Sequence, residues 1–210
     1  MKKIVAIGSA VIKTAKKELS EYIKNGHVEM LIHSGGSIFH DIQQAIEPDL
    51  EGHSYPLDDL IEDYSCNKEA SIYTWEAIEY GKAPENTITN LCYQMDIPIL
   101  IFTGLGCDFW HLFSDPDQWA DYGRYSYFYF KRLVRRFKDP FHYICMGSAV
   151  IHPEVFTKAI AAAKNKDFTS DVVDFKDMYR LRTYVAKYGT YYQMTHKEFL
   201  GGLNALYRRK

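Results

Sequence analysis

Residues 3–46 read KIVAIGSAVIKTAKKELSEYIKNGHVEMLIHSGGSIFHDIQQAI, and this stretch decides the fold. Lys3 to Ile7 is a short β-rich run that stops at Gly8-Ser9-Ala10. Ile12, Ala15, Leu19, Tyr22 and Ile23 then follow helical spacing, and Asn25-Gly26 supplies a helix stop. Val28 to His33 reads as the next strand and ends at Ser34-Gly35-Gly36-Ser37. Residues 38–46 return to helix, ended by Pro48. Strands separated by helices cannot pair as hairpins, so the alternation predicts a parallel sheet with helical crossovers.

Working outward, the rhythm lapses over the acidic residues 47–64, whose length suggests a functional excursion or a flexible loop. Helices are expected over 68–80 and 85–95, with Pro84 suited to a helix start. A buried-type strand over 97–103 leads into Gly104-Leu105-Gly106-Cys107-Asp108. A long amphipathic helix is expected over 117–138, a strand over 141–146 ending at Gly147-Ser148-Ala149, and a helix over 153–164. Further strands are read at 172–175 and 190–194. Thr195 and Glu198 then have the spacing of a capping box for a last helix.

The 210 residues fit one domain spanning 1–210, with an apolar content of 47% that supports a sizeable core. A net charge of -2 gives no basic field for non-specific nucleic-acid binding. Four cysteines without a C-x-x-C pair argue against a structural zinc site, and no metal is expected. No signal peptide or membrane span is read from the sequence, so a cytoplasmic location away from membranes is expected.

In an open parallel sheet, strand-to-helix turns lie at the carboxyl edge, where ligands bind. Small residues there let backbone N–H groups approach a phosphate, and the helix N-terminus adds a favourable dipole. The candidate cofactor-binding residues are therefore Gly8, Ser9, Ala10, Ser34, Gly35, Gly36, Gly147, Ser148 and Ala149. Neither G-x-G-x-x-G after the first strand nor a P-loop motif is present, which demotes the ordinary forms of both sites.

His40 and Asp41 lie a helical turn beyond the second glycine turn and are candidates for proton transfer, with a merely packed or solvated pair as the alternative. His152 is a further candidate. Asp108, Trp110 and His111 combine acid and aromatic groups, which suits an amine through ion pairing and cation–π contact. The same residues also describe a capped helix start. Glu154 is a substrate-binding candidate that equally complements a helix dipole. Cys107 reads more simply as packing than as a nucleophile, and Arg180 and Arg182 read equally as anion ligands or structural ion pairs.

In order along the chain, GSAV at 8–11, VEMLIHSGGSIFHDI at 28–42, GLGCDFWH at 104–111, GSAVIHPEVF at 147–156 and YYQMTHKE at 191–198 resemble the deoxyhypusine synthase family, particularly its short bacterial branch. The resemblance implies a Rossmann-like, mostly parallel sheet with helices on both faces. It also implies NAD at the strand ends, chemistry on spermidine or another small amine, and a homotetramer built as a dimer of dimers. The family's lysine nucleophile lies in a Trp-Gly-Lys-type segment, and the corresponding Tyr179 to Thr183 contains no lysine; Lys187 is the nearest. The expected function is thus an NAD-dependent transferase or oxidoreductase lacking that nucleophile. The alternative is a non-catalytic NAD- or nucleotide-binding oligomer of the same fold.

Aromatic residues make up 15% of the chain, and Tyr122, Tyr125, Tyr127, Phe128, Tyr129 and Phe130 crowd the long helix on more than one face. A helix apolar nearly all round is usually buried, so a subunit interface is expected there.

Overall fold

The computed structural model describes residues 3–46, 48, 68–103 and 116–207. Its first half repeats the strand–helix alternation: β1 (Lys3–Ile7), α1 (Ser9–Lys24), β2 (Val28–Ser34) and α2 (Gly35–Ile46). The two helices α3 (Lys68–Tyr80) and α4 (Ile88–Gln94) precede β3 (Ile99–Phe102). The second half runs α5 (Pro116–Arg136), β4 (Phe141–Met146), α6 (Ile151–Ala163), β5 (Phe168–Asp174), β6 (Tyr191–Gln193) and α7 (His196–Tyr207). Between β5 and β6 lie a π-helical turn (Leu181–Val185) and a 3-10 turn (Ala186–Tyr188) that the sequence pattern did not suggest. The expected segments 104–111 and 47–63 fall almost entirely outside the described residues.

The six strands form one sheet in the order β3-β2-β1-β4-β5-β6, and every neighbouring pair is parallel. This is an α/β Rossmann-like fold. Strand order reverses between β1 and β4, so the crevice over their carboxyl ends is the place where such sheets hold ligands.

Side chains alternate across the sheet as strand geometry requires. Val5, Ile7 and Leu31 meet α1 to α4 and α7 on one face, through residues such as Leu19, Phe39, Trp75, Cys92 and Leu200. Ile4, Ala6, Met30 and Ile32 meet the end of α5, α6 and the π turn on the other, through Leu133, Phe137, Phe156 and Leu181. Helices cover both faces, and β1 is buried on each.

Helix ends follow local chemistry. Asn25 closes α1, with Gly26 next at φ +74, a conformation that favours glycine. At α4 the start falls three residues later than Glu85, because Thr87 rather than Pro84 supplies the cap: its hydroxyl accepts from Asn90 N at 2.9 Å. For α7 the capping box forms as expected. Thr195 N donates to Glu198 Oε2 at 3.0 Å and Glu198 N donates to Thr195 Oγ1 at 3.2 Å.

Much of the aromatic excess is used inside the molecule. Phe137 stacks on Phe141 with centroids 4.2 Å apart, and Phe141 stacks on Phe168 at 5.1 Å. Phe141 and Phe168 begin β4 and β5, so this cluster packs the amino edge of the sheet, away from the crevice. On α5, Tyr122 is buried and donates to Ile101 O, and only Tyr127 (59% exposed) and Phe128 (62%) stand out as large exposed rings. None of the helices among the described residues is long and apolar enough to cross a membrane.

Candidate functional site

A cleft of about 360 Å³ opens at the carboxyl ends of β1 to β4. The β1–α1 turn contributes Ser9 and Ala10, and the β2–α2 turn contributes Ser34, Gly35 and Gly36. Ser148 and Ala149 come from the β4–α6 turn, with Thr103 after β3. Seven of the nine residues selected as cofactor ligands thus line one cavity. The other two, Gly8 and Gly147, lie directly behind it.

Their role is close approach. A Cβ on Gly8 would fall 2.5 Å from Ser148 N, so only glycine lets the two turns touch. Gly147 and Ser148 both have positive φ, +70 and +54, which folds the chain back sharply before α6. For Ser148 this is a costly conformation, of the kind concentrated at ligand sites.

Three helices, α1, α2 and α6, begin beside the cleft. Neither Gly8 ahead of α1 nor Val150 ahead of α6 gives a side-chain cap. At α2, Ser34 Oγ accepts from Ser37 N at 3.3 Å. The uncapped first-turn N–H groups leave a polar, electropositive rim suited to an anion such as a diphosphate.

Histidines surround this edge, each with one ring nitrogen tied down. His152 Nε2 donates to Ile7 O at 2.9 Å, leaving buried Nδ1 an acceptor with no partner among the described residues. His33 Nδ1 lies 2.9 Å from Ser37 Oγ, whose own proton goes to Ser34 O. Ser37 therefore accepts from His33, and Nε2 of His33 also has no partner among the described residues. Burial lowers both imidazoles to about 4, so they are neutral acceptors at neutral pH. Thr103 Oγ1 likewise has no hydrogen-bond partner among the described residues.

The remaining sequence candidates scatter. His40 is buried within α2, its Nδ1 3.0 Å from Gln43 Oε1, and does not line the cleft. Asp41 is fully buried and engaged: its oxygens accept from Ile88 N at 2.9 Å, Thr89 N at 2.8 Å and Thr89 Oγ1 at 2.8 Å, and Lys16 Nζ lies 3.0 Å away. Glu154 sits on the exposed first turn of α6, paired with Lys158 at 2.9 Å, which lowers its carboxyl. Asp108, Trp110 and His111 lie outside the described residues. Arg182 pairs with Asp177, the structural alternative for that residue.

Lys187, the nearest lysine to the missing family nucleophile, lies in the 3-10 turn just before β6. Because β6 runs parallel to the rest, that turn is at the amino edge, opposite the cleft. Its ammonium stands 4.7 Å over the Tyr188 ring. The buried His33 and His196 were not singled out from sequence, since nothing local marks a strand-end or helix-start histidine as buried.

No family model and no curated protein matches the chain. Among solved structures, the chain is similar to AgrE in its ternary complex with ornithine and NAD+, at 14% identity and a TM-score of 0.65, covering 99% of this chain and 30% of AgrE. It is similar to a conserved putative LOR/SDH protein from Methanococcus maripaludis S2, at 16% identity and a TM-score of 0.61, covering 99% and 62%. A putative deoxyhypusine synthase from Entamoeba histolytica gives 8% identity and a TM-score of 0.50, covering 98% and 74%. At these identities the likeness is one of fold. The chain spans less than two thirds of the AgrE and LOR/SDH proteins.

Proposed function

We propose that the cleft at the β1/β4 reversal binds NAD and that the chain acts as an NAD-dependent oxidoreductase or transferase on spermidine or another small amine. One observation carries the reading: the small-residue turns after β1, β2 and β4 meet in a single cleft rimmed by helix N-termini. Two fold neighbours add support, AgrE in its complex with ornithine and NAD+ and the putative deoxyhypusine synthase.

In this reading the backbone N–H groups of the Ser9, Gly35 and Ser148 turns hold the diphosphate, and Thr103 Oγ1 bonds a sugar or amide group. NAD supplies hydride acceptance from the amine-bearing carbon. His152 and His33, held neutral, accept hydrogen bonds rather than store protons. Asp108, Trp110 and His111 are proposed to hold the amine, with Glu154 at the rim. Asp41, with its oxygens engaged, supports the site by joining α2 to α4 and Lys16, and His40 packs beside it.

A second reading, an NAD-binding oligomer without turnover, is favoured by the position of Lys187 at the opposite edge and by the lack of a lysine between Tyr179 and Thr183. The assembly proposed with either reading is a homotetramer, a dimer of dimers, with Tyr127 and Phe128 at a subunit contact. Incubation with NAD and spermidine, following NADH absorbance and free diaminopropane, separates the two. Turnover supports the enzyme, and a thermal shift with NAD but no NADH from a panel of aliphatic amines supports the binder. No shift with NAD overturns both.

A further inference from the structure

A second cavity, of about 680 Å³, lies between α1 and α4 and shares no lining residue with the ligand cleft. Neither functional reading uses it. Helix α1 contributes Lys16, Lys17 and Lys24, and the α4 side contributes the amides of Asn86, Asn90 and Gln94. Among the described residues, Leu91 is the only apolar one in the wall, so the cavity offers charge and hydrogen bonds rather than apolar area. Lys16 and Lys24 lie two turns apart on one stripe of α1, with Lys17 beside them. Glu18 turns instead to α7, where Lys197 Nζ is 3.9 Å from its carboxylate. Lys16 is drawn inward: its ammonium is 3.0 Å from Asp41 Oδ1, and the side chain stays 24% exposed. Lys17 and Lys24 form no ion pair with any described residue. Glu85 is the one acid lining the cavity among the described residues, so the site stays positive even with Asp41 counted behind Lys16.

We propose that this cavity binds a small hydrophilic polyanion, a metabolite bearing phosphate or carboxylate groups. Like charges along one helix stripe repel, and an anion between them relieves that repulsion while accepting charge-assisted hydrogen bonds. The helical rise from Lys16 to Lys24 is ~12 Å, so the lysines can reach two anionic groups of one molecule. The amides on the α4 side both donate and accept, which suits an oxygen-rich ligand. The volume is that of a single small-molecule site. A chain with a net charge of -2 has no wide basic field for a polymer such as nucleic acid.

The test is an NMR titration of the isotope-labelled chain with inorganic pyrophosphate and, separately, with citrate, following the side-chain amide signals of Asn90 and Gln94. Saturable shifts of those signals are expected, and the tighter of the two anions assigns the site to phosphate or to carboxylate ligands. Lys17 and Lys24 are exposed and stand outside the Asp41 network, so replacing both should keep the fold. The double variant Lys17→Gln with Lys24→Gln should raise the Kd at least about tenfold, the worth of roughly one charge-assisted hydrogen bond. Lys138→Gln with Lys166→Gln removes the same charge from exposed positions elsewhere and should leave the Kd unchanged. No saturation with either anion, equal loss in the two double variants, or shifts confined to the Gly8, Gly35 and Ser148 turns overturns the proposal. NAD affinity should be native in Lys17→Gln with Lys24→Gln, so failure of this site leaves the dinucleotide reading standing.

Discussion

Gly8 and Ser148 touch backbone to backbone: a Cβ on Gly8 would lie 2.5 Å from Ser148 N and 3.1 Å from Ser148 Cβ. This contact closes the back of the cleft and sets the spacing between the β1 and β4 turns. Substituting Gly8→Ala must displace backbone, so we expect a stability loss of about 1–3 kcal/mol and weaker NAD binding. Gly123→Ala is the opposite case, since nothing stands within 4 Å of that α5 position. It should gain roughly 0.5–1 kcal/mol from helix propensity. Urea denaturation of both variants checks the pair of signs.

Asp41 supports the fold across 47 residues of sequence, accepting from the Ile88 and Thr89 amides while lying beside Lys16. Asp41→Ala would leave two buried N–H groups and a hydroxyl without an acceptor. The expected cost is about 3–5 kcal/mol, as for breaking a buried charged network. A drop in the thermal midpoint with little change in NAD affinity per folded molecule would match a supporting role.

His33 and His152 predict acid lability with a definite sign. Both are lowered by burial from 6.5 to about 4, while in the unfolded chain they titrate at their ordinary value. Between those limits the unfolded state binds more protons, so stability rises with pH and is lost on acidification. Each histidine contributes at most about 1.4 kcal/mol per pH unit in that window. Urea midpoints measured across the window should fall as pH falls, and His152→Asn should flatten the dependence.

Tyr127 and Phe128 form an exposed edge-to-face pair, with centroids 5.6 Å apart, and Lys131 Nζ lies 5.2 Å from the Tyr127 ring. Replacing both rings with serine should leave the folded protomer within about 0.5 kcal/mol of native, as for ordinary surface changes. Sedimentation velocity should show a smaller assembly than the native chain if these rings lie at a subunit contact. An unchanged sedimentation coefficient would place the contact elsewhere.

The sheet was legible because its signals are local: Gly8, Gly35 and Gly147 punctuate apolar runs, and Thr195 with Glu198 marks a helix start within four residues. The cleft followed from the same turns, since parallel strands put them on one edge. What was illegible is long-range. The partners of Asp41 lie 47 and 48 residues away, and those of His152 lie 145 away, so an available acid could not be told from a saturated one. How the aromatic residues divide was equally hidden, because it depends on contacts between elements distant in sequence: Tyr127 and Phe128 stay exposed on α5, while Phe137, Phe141, Phe156 and Phe168 meet at the amino edge from the end of α5, β4, α6 and β5.

The central claim is that this cleft holds a dinucleotide, and isothermal titration of NAD+ into the native chain tests it most directly. Saturable binding of one NAD+ per cleft, weakened in Gly8→Ala, is the expected result. An absence of binding heat, with native and Gly8→Ala chains indistinguishable, would contradict it.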